Sequence, residues 1–426
     1  MTKFRQVRSS LVAAVLGLSA VSTVLPLNVY ADTAAKDATA PVEVLRPEIR
    51  TALVAAQALS DAKNIPGALA KIAETDSIKD KSPYEIFAVE RTRGNYYMTA
   101  GDKLKAAGAF EAVVAANYLK RADQLNMMEA ISQIYFQESN YPLTISWMNR
   151  YLKDGGTDPK ANDVLNKAYF LNKDYGEANK GLTAQLNAEL AAGKVPPEQL
   201  FQLILNCNNQ LNDKEGTVKA LEQLNTYYPS AKNWTYLISQ IHSKPGFSER
   251  MYLDVFRLKQ ELSLMKTVAE YLDMVELATR AALPGEVKKA LEQGFAAGVL
   301  GKGSDAKKHT ALLEAATKHA AEDLKTMDQG EASANKSKDG TGLTNLGMAF
   351  ATAGQFDKGA SLIEQGISKG GLARLEEAKL HLGIVYYWAG KKDQALKQLA
   401  TVAGTDGTAE LARYWIMQIN HPLAKQ

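Results

Sequence analysis

Apolar residues recur at helical spacing along most of the chain. In one window Leu200, Leu203, Ile204, Cys207 and Leu211 line up as the buried stripe of a helix, with polar residues on the opposite side. The residues around such stripes are rich in Ala, Leu, Gln and Lys, which favour the helix intrinsically. Helix starts are marked as clearly. Ser82-Pro83-Tyr84-Glu85 places a capping serine, a proline at the first helical position and a glutamate able to close a capping box, and Asp158-Pro159 and Pro196-Pro197-Glu198 make similar entries. No alternating β-branched run is flanked by Asn-Gly or Asp-Gly turns, so strands are not expected. The pattern predicts an all-α chain from about Glu48 onward. Residues 32–47, rich in Ala, Thr, Lys and Pro without apolar period, read as a flexible tether.

Aligned by their turns, the predicted helices form pairs. A small or short residue stands in each second helix at Ala68, Ala106, Thr144, Ala178, Thr217, Val287, Gly359 and Ala395. An apolar residue follows each by four: Ile72, Phe110, Met148, Leu182, Leu221, Leu291, Ile363 and Leu399. Nine residues ahead, in the first helix, stand Leu59, Tyr97, Tyr135, Tyr169, Ala278, Phe350 and Tyr386, with Asn208 breaking the rule before Thr217. Two of the steps, Thr217 to Val287 and Val287 to Gly359, are about twice the others, which predicts one degenerate unit in each gap. Small residues let two helices cross closely and a ring fills the space between them.

On these residues the chain resembles the tetratricopeptide repeat family, whose pattern is Trp-x2-Leu-Gly-x2-Tyr followed by Ala-x3-Phe. Leu382-Gly383-x2-Tyr386 with Ala395-x3-Leu399 is the best copy. Gly94-x2-Tyr97 with Ala106-x3-Phe110, and Leu346-Gly347-x2-Phe350 with Gly359-x3-Ile363, follow closely, and Trp234-x2-Leu237 and Pro229 add family residues at fitting offsets. The resemblance covers roughly residues 48–420 and implies a right-handed superhelical array of antiparallel helix pairs, an α-solenoid. The consensus tryptophan is absent from most copies, Arg250 sits where a small residue is expected, and Asp305 to Met327 reads as one long helix. The polar stretch 328–342 is expected to be a loop dividing an N-terminal array, 48–327, from C-terminal repeats, 343–426. Leu411, Tyr414, Trp415, Met417, Gln418 and Ile419 predict an amphipathic terminal helix over the last repeat.

Charge and composition narrow the function. Lys and Arg total 50 against 47 Asp and Glu, and Lys3, Arg5 and Arg8 supply the whole surplus. That end also carries an apolar run from Leu11 to Leu27 and small residues around Ala31, the three-part layout of an export signal, here expected to be cleaved after Ala31. The remaining chain is then formally neutral, so nucleic acid is a poor partner for it, and it has no further apolar stretch long enough for a membrane span, so none is expected after signal cleavage. A single cysteine, Cys207, cannot form an internal disulfide and reads as a small core hydrophobe; the reading places the chain in a bacterial periplasm.

Catalytic motifs are weak. Glu138-Ser139-Asn140-Tyr141 resembles the short signature of soluble lytic transglycosylases, but the companion Gly-Leu-Met-Gln stretch does not follow, and Tyr135 and Tyr141 fit the repeat frame. His309 and His319 are ten apart, without a His-Glu-x-x-His pattern, and Gly298 to Ser304 matches no phosphate-binding loop. No cofactor or metal is expected. Recognition surface remains. In such arrays the first helices line a concave groove. Gln199, Gln202, Asn206, Asn209 and Gln210 share one face of a first helix, and amides can clasp an extended peptide backbone. Arg91 and Asn95, one turn apart on an equivalent helix, resemble half of the family's carboxylate clamp, and Tyr387 and Trp388 lie on an inward face open to two readings, an apolar groove or capping by the terminal helix. The expected function is a non-enzymatic periplasmic scaffold that binds a protein or peptide of the cell envelope. A cell-wall enzyme or its regulatory subunit centred on Glu138, and a periplasmic holdase, are the alternatives.

Overall fold

A computed structural model describes residues 44–424, so the expected export signal and the tether up to residue 43 lie outside the described residues. Among the described residues there are 20 α-helices and no strand. The chain divides into two compact units, one ending at Val89 and one beginning at Glu90.

In the first unit α1 (Pro47–Asp61) and α2 (Ile65–Ala73) form a hairpin closed on Ala56, Ala68 and Ile72, all fully buried. A 3-10 turn, Glu74–Ser77, leads to α3 (Pro83–Ala100). Its predicted capping box is present: Glu85 N–H donates to the Ser82 hydroxyl, and Ser82 N–H to the Glu85 carboxylate at 2.9 Å. The same carboxylate holds Arg46, which the sequence assigns to the tether. Arg46 donates to it through its backbone N–H and two guanidinium nitrogens, and also reaches the carbonyls of Lys79 and Asp80. Chain composition there hides a fixed residue.

Hydrogen bonds from the Arg46 guanidinium, working against burial and helped by the amides of Ser82 and Arg46, hold the Glu85 carboxyl down at about 2. A folded value below the unfolded one, ~4.3, means that the stabilisation is complete above that value and is lost as pH falls toward 2. The thermal midpoint of Glu85→Gln is therefore expected to be lower than that of the parent at pH 6 and to fall less steeply between pH 5 and pH 2. Equal acid slopes would remove Glu85 from the account.

In the second unit α3 pairs with α4 (Lys103–Ala115), and further hairpins follow: α5 (Arg121–Gln137) with α6 (Tyr141–Lys153), α7 (Pro159–Leu171) with α8 (Tyr175–Ala191), and α9 (Glu198–Gln210) with α10 (Lys214–Tyr227). Then come α11 (Ala231–Ile241) and α12 (Tyr252–Glu261), the pair α13 (Val268–Arg280) and α14 (Pro284–Ala296), and a single long α15 (Ala306–Lys336). The pairs α16 (Thr341–Thr352) with α17 (Phe356–Lys369) and α18 (Leu375–Trp388) with α19 (Lys392–Leu399) lead to α20 (Thr408–Asn420).

The repeat frame is visible in the turns. Each pair is joined by one residue in the left-handed region, such as Ser139, Lys173, Asn212 or Ala282 in the second unit, and the next amide bonds the carbonyl five residues back. Four residues beyond that amide lies the small residue: Ala106, Thr144, Ala178 and Ala395 are fully buried, as are Met148, Leu221, Leu291 and Ile363 four further on. A Cβ on Gly94 would strike the Phe110 ring, and one on Gly383 would come 2.6 Å from Leu399. Where Asn208 replaces the ring, it accepts from Asn179 Nδ2 at 2.8 Å and faces Gly216, so an amide and a glycine fill the space together.

The two long steps differ in kind. The first holds two helices, α11 and α12, joined by a longer connection that contains the 3-10 turn Glu249–Met251. The second holds α15 alone, and here the expected loop 328–342 is corrected: the helix continues to Lys336, and only a short connection to Thr341 remains. Polar composition suggested a loop, but Met327 and Ala334 pack with Leu343, Phe350 and Leu362, and burying that stripe outweighs the cost of Gly330, about 1 kcal/mol relative to alanine. The expected division into lobes at this stretch is not found either, because one apolar core runs from Leu221 through Ala316 and Met348 to Ile419.

Candidate functional site

The amide-bearing face lies on α9. Leu200, Phe201, Leu203, Ile204 and Cys207 turn inward, and burial pushes the Cys207 thiol up to about 12, the state of a packed and unreactive sulfur. Gln199, Gln202, Asn209 and Gln210 are exposed and Asn206 is half-buried, as the periodicity predicts. The neighbouring repeat claims some of this strip: Asn209 Oδ1 accepts from the Tyr236 hydroxyl at 2.9 Å and from that of Thr217 at 3.2 Å. Gln202 donates to Glu198 one turn back at 2.8 Å. Gln199, Gln202 and Asn206 are thus presented from a helix whose other side is locked in the core.

Arg91 and Asn95 are half-buried on α3, three hairpins before α9. Tyr387 and Trp388 belong to α18, and of the two readings for this face, groove or cap, the second holds at Tyr387, which is covered by the chain itself. The Tyr387 hydroxyl donates to Glu261 of α12 at 2.8 Å, its ring packs against Trp415 of α20 at 5.5 Å between centroids, and burial together with Glu261 pushes its ionisation well above the usual value. Trp388 lies against Phe356, with the Lys289 ammonium 4.8 Å from its ring centre. The sequence residues therefore stand at three separate places along the array.

What closes the groove around α18 was not legible as a site. Helix α12 bridges two walls of the second unit. Arg257 Nε and Nη2 donate to the Glu286 carboxylate of α14, each at 2.7 Å, and Nη1 donates to Asp254 at 2.7 Å. His381 Nε2 of α18 lies 3.0 Å from Asp254 Oδ1 and 3.1 Å from Arg257 Nη1. Arg257, Asp254 and Glu286 side chains are 2–3% exposed. Burial alone would raise the Asp254 carboxyl, but His381 and Arg257 hold it far below the usual carboxylate range. An Asp and an Arg three apart among Leu253, Val255 and Leu258 were the available signal. The C-terminal helix completes the closure: α20 packs on α18 and α19 as expected, and also against α10 and α12. From α10 to α20 the array returns on itself and its interior is filled by α12.

The motif around Glu138 is a turn. Glu138 ends α5 and lies 3.4 Å from the Lys103 ammonium, Ser139 has φ 59°, and Asn140 caps α6 by accepting the Leu143 N–H. Tyr135 above it donates to Glu111 at 2.8 Å, an acceptor shared with Trp147 Nε1. The four-residue signature is thus accounted for by the hairpin that contains it.

No group of three His, Cys, Asp or Glu residues that could hold a metal ion occurs among the described residues, and no described helix is long and apolar enough to cross a membrane. No family model and no curated protein matches the chain. Solved structures that it is similar to include the "TPR2AB-domain:pHSP90-complex of yeast Sti1", at 14% identity over 71% of this chain and 98% of that one, with a TM-score of 0.23. A tetratricopeptide repeat protein from Parabacteroides merdae is 12% identical over 79% of this chain and 98% of that one, TM-score 0.26. Yeast Tom70 is 10% identical over 87% and 95%, TM-score 0.24. The helices of this chain pack as repeated hairpins closed on a small residue, with an apolar residue one turn later and, in most, a facing ring.

Proposed function

We propose that the protein is an exported, non-enzymatic scaffold of the cell envelope that binds a protein or peptide segment along the first helices of its open hairpins, α3 to α9. The observation that carries this reading is the α9 face, where Gln199 and Gln202 are exposed and Asn206 half-buried on a helix pinned by six buried side chains. Rigid support with exposed amides suits an extended backbone, whose own N–H and C=O groups need partners. The closed region, α10 to α20, supports that surface and carries no free groove around Tyr387. Location in the periplasm rests on the cationic and apolar pattern of residues 1–31.

A photo-crosslinking residue at Gln199 in the exporting cell is expected to capture a defined set of envelope proteins. Gln202→Arg with Asn206→Arg should lower capture at least tenfold, while Tyr387→Phe leaves it unchanged. Capture that ignores the two arginines rules out the α9 face. Capture without selectivity, accompanied by suppression of client aggregation, identifies a holdase instead.

A further inference from the structure

The joint at which α20 meets α10, α11 and α12 is built differently from the hairpins. Hairpins are closed by apolar crossings. The joint contains apolar residues too, with Trp234 edge-on to Tyr414 at 6.3 Å and Leu411, Trp415 and Ile419 buried, but its periphery is ionic. Arg413 pairs with Glu222 of α10, Lys244 with Glu410, and Arg250 with both Asp406 and Glu377. Ser248 N–H donates to the Asp406 carbonyl at 2.9 Å, which fixes the turn that leads into α20. Phe247 covers Gly407, which has φ 107°.

The joint is also where polar groups are left over. Asn225 Oδ1, Trp234 Nε1, Gln260 Nε2, Glu410 Oε2 and Trp415 Nε1 are buried without a hydrogen-bond partner, and all five belong to α10, α11, α12 or α20. Asn179 Oδ1 and Asp323 Oδ2, also without a partner, lie apart from the joint on α8 and α15. A buried donor or acceptor that has lost water and gained nothing weakens the association that buried it, and ion pairs at a periphery weaken as salt rises. Undocking α20 returns its own Glu410 Oε2 and Trp415 Nε1 to water and leaves the small-residue crossings of α13 to α19 intact.

From this we infer that α20 is a strap that undocks and redocks as a unit, so that the closed array opens at this joint before any of its hairpins unfolds. The docked form dominates because Trp415, Tyr414 and Leu411 are buried in it; the undocked form is a minor state that bares the inner faces of α12 and α18. The inference does not depend on the proposed function.

Hydrogen exchange of the full chain followed by mass spectrometry tests it. Amides of α20 are expected to exchange at least tenfold faster than those of α13 and α14, and the ratio should widen when NaCl is raised from about 0.05 to about 0.5 M, as screening of peripheral pairs requires. Arg250→Gln, which removes the ties to Asp406 and Glu377, should widen it further at low salt. Equal protection of α20, α13 and α14 at both salt concentrations overturns the inference, because α20 then opens only with the whole unit. Loosening by Arg250→Gln spread evenly over α13 to α20 overturns it as well.

Discussion

Arg257→Met is expected to destabilise the second unit by about 3–5 kcal/mol, read as a fall in the urea midpoint at unchanged slope. The cost comes from what remains. Glu286 would lose both of its guanidinium bonds and Asp254 one of its two partners, leaving two carboxylates in a region from which water is excluded. The triple change Asp254→Leu, Arg257→Met, Glu286→Leu removes the charges together, and such exchanges are often neutral or stabilising; most of the lost stability should return. A single substitution as mild as the triple one would show that α12 is held by its apolar residues alone. A triple variant as unstable as the single one would show that the charged cluster itself is required to seat the helix.

Gly359→Val should cost about 3 kcal/mol, the upper end of the range for overpacking, because the group in the way is backbone. A Cβ on Gly359 would lie 2.6 Å from the Gly347 carbonyl, and one on Gly347 would lie 2.7 Å from that of Gly359. Side chains can rotate away, as Phe110 can to some degree opposite Gly94; a carbonyl within a helix cannot move without shifting α16. Gly108 provides the control. It sits exposed in α4 with no atom within 4 Å of a built Cβ, so Gly108→Ala should stabilise by about 0.5–1 kcal/mol through helix propensity. Thermal denaturation of the two variants beside the parent separates steric from conformational effects, since both replace a helical glycine.

Much of this architecture was written locally. Turn residues, caps and crossing residues act within one hairpin, so Tyr97, Ala106 and Phe110 could be placed from spacing alone, and the structure puts them where the spacing predicts. The boundary of α15 was misjudged because its outer face carries the Gly, Ser, Asn and Lys of an ordinary loop, and the deciding contacts of Met327 and Ala334 are with residues of the following hairpin. Closure of the array was not legible either. It depends on pairs such as Glu222 with Arg413 and Thr226 with Met417, each 191 residues apart, for which the chain offers no periodic signal. The candidate site divides the same way: the exposure of Gln199 and Gln202 follows from helical period, whereas the engagement of Tyr387 by Glu261 and Trp415 follows from closure.

The lone cysteine gives the molecule a built-in clock. Cys207 is fully enclosed between α9 and its neighbours, and its sulfur is held in the protonated form, so an alkylating reagent can reach it only while that hairpin gapes. The pace of labelling at one natural atom thus times the breathing of α9, without any engineered reporter.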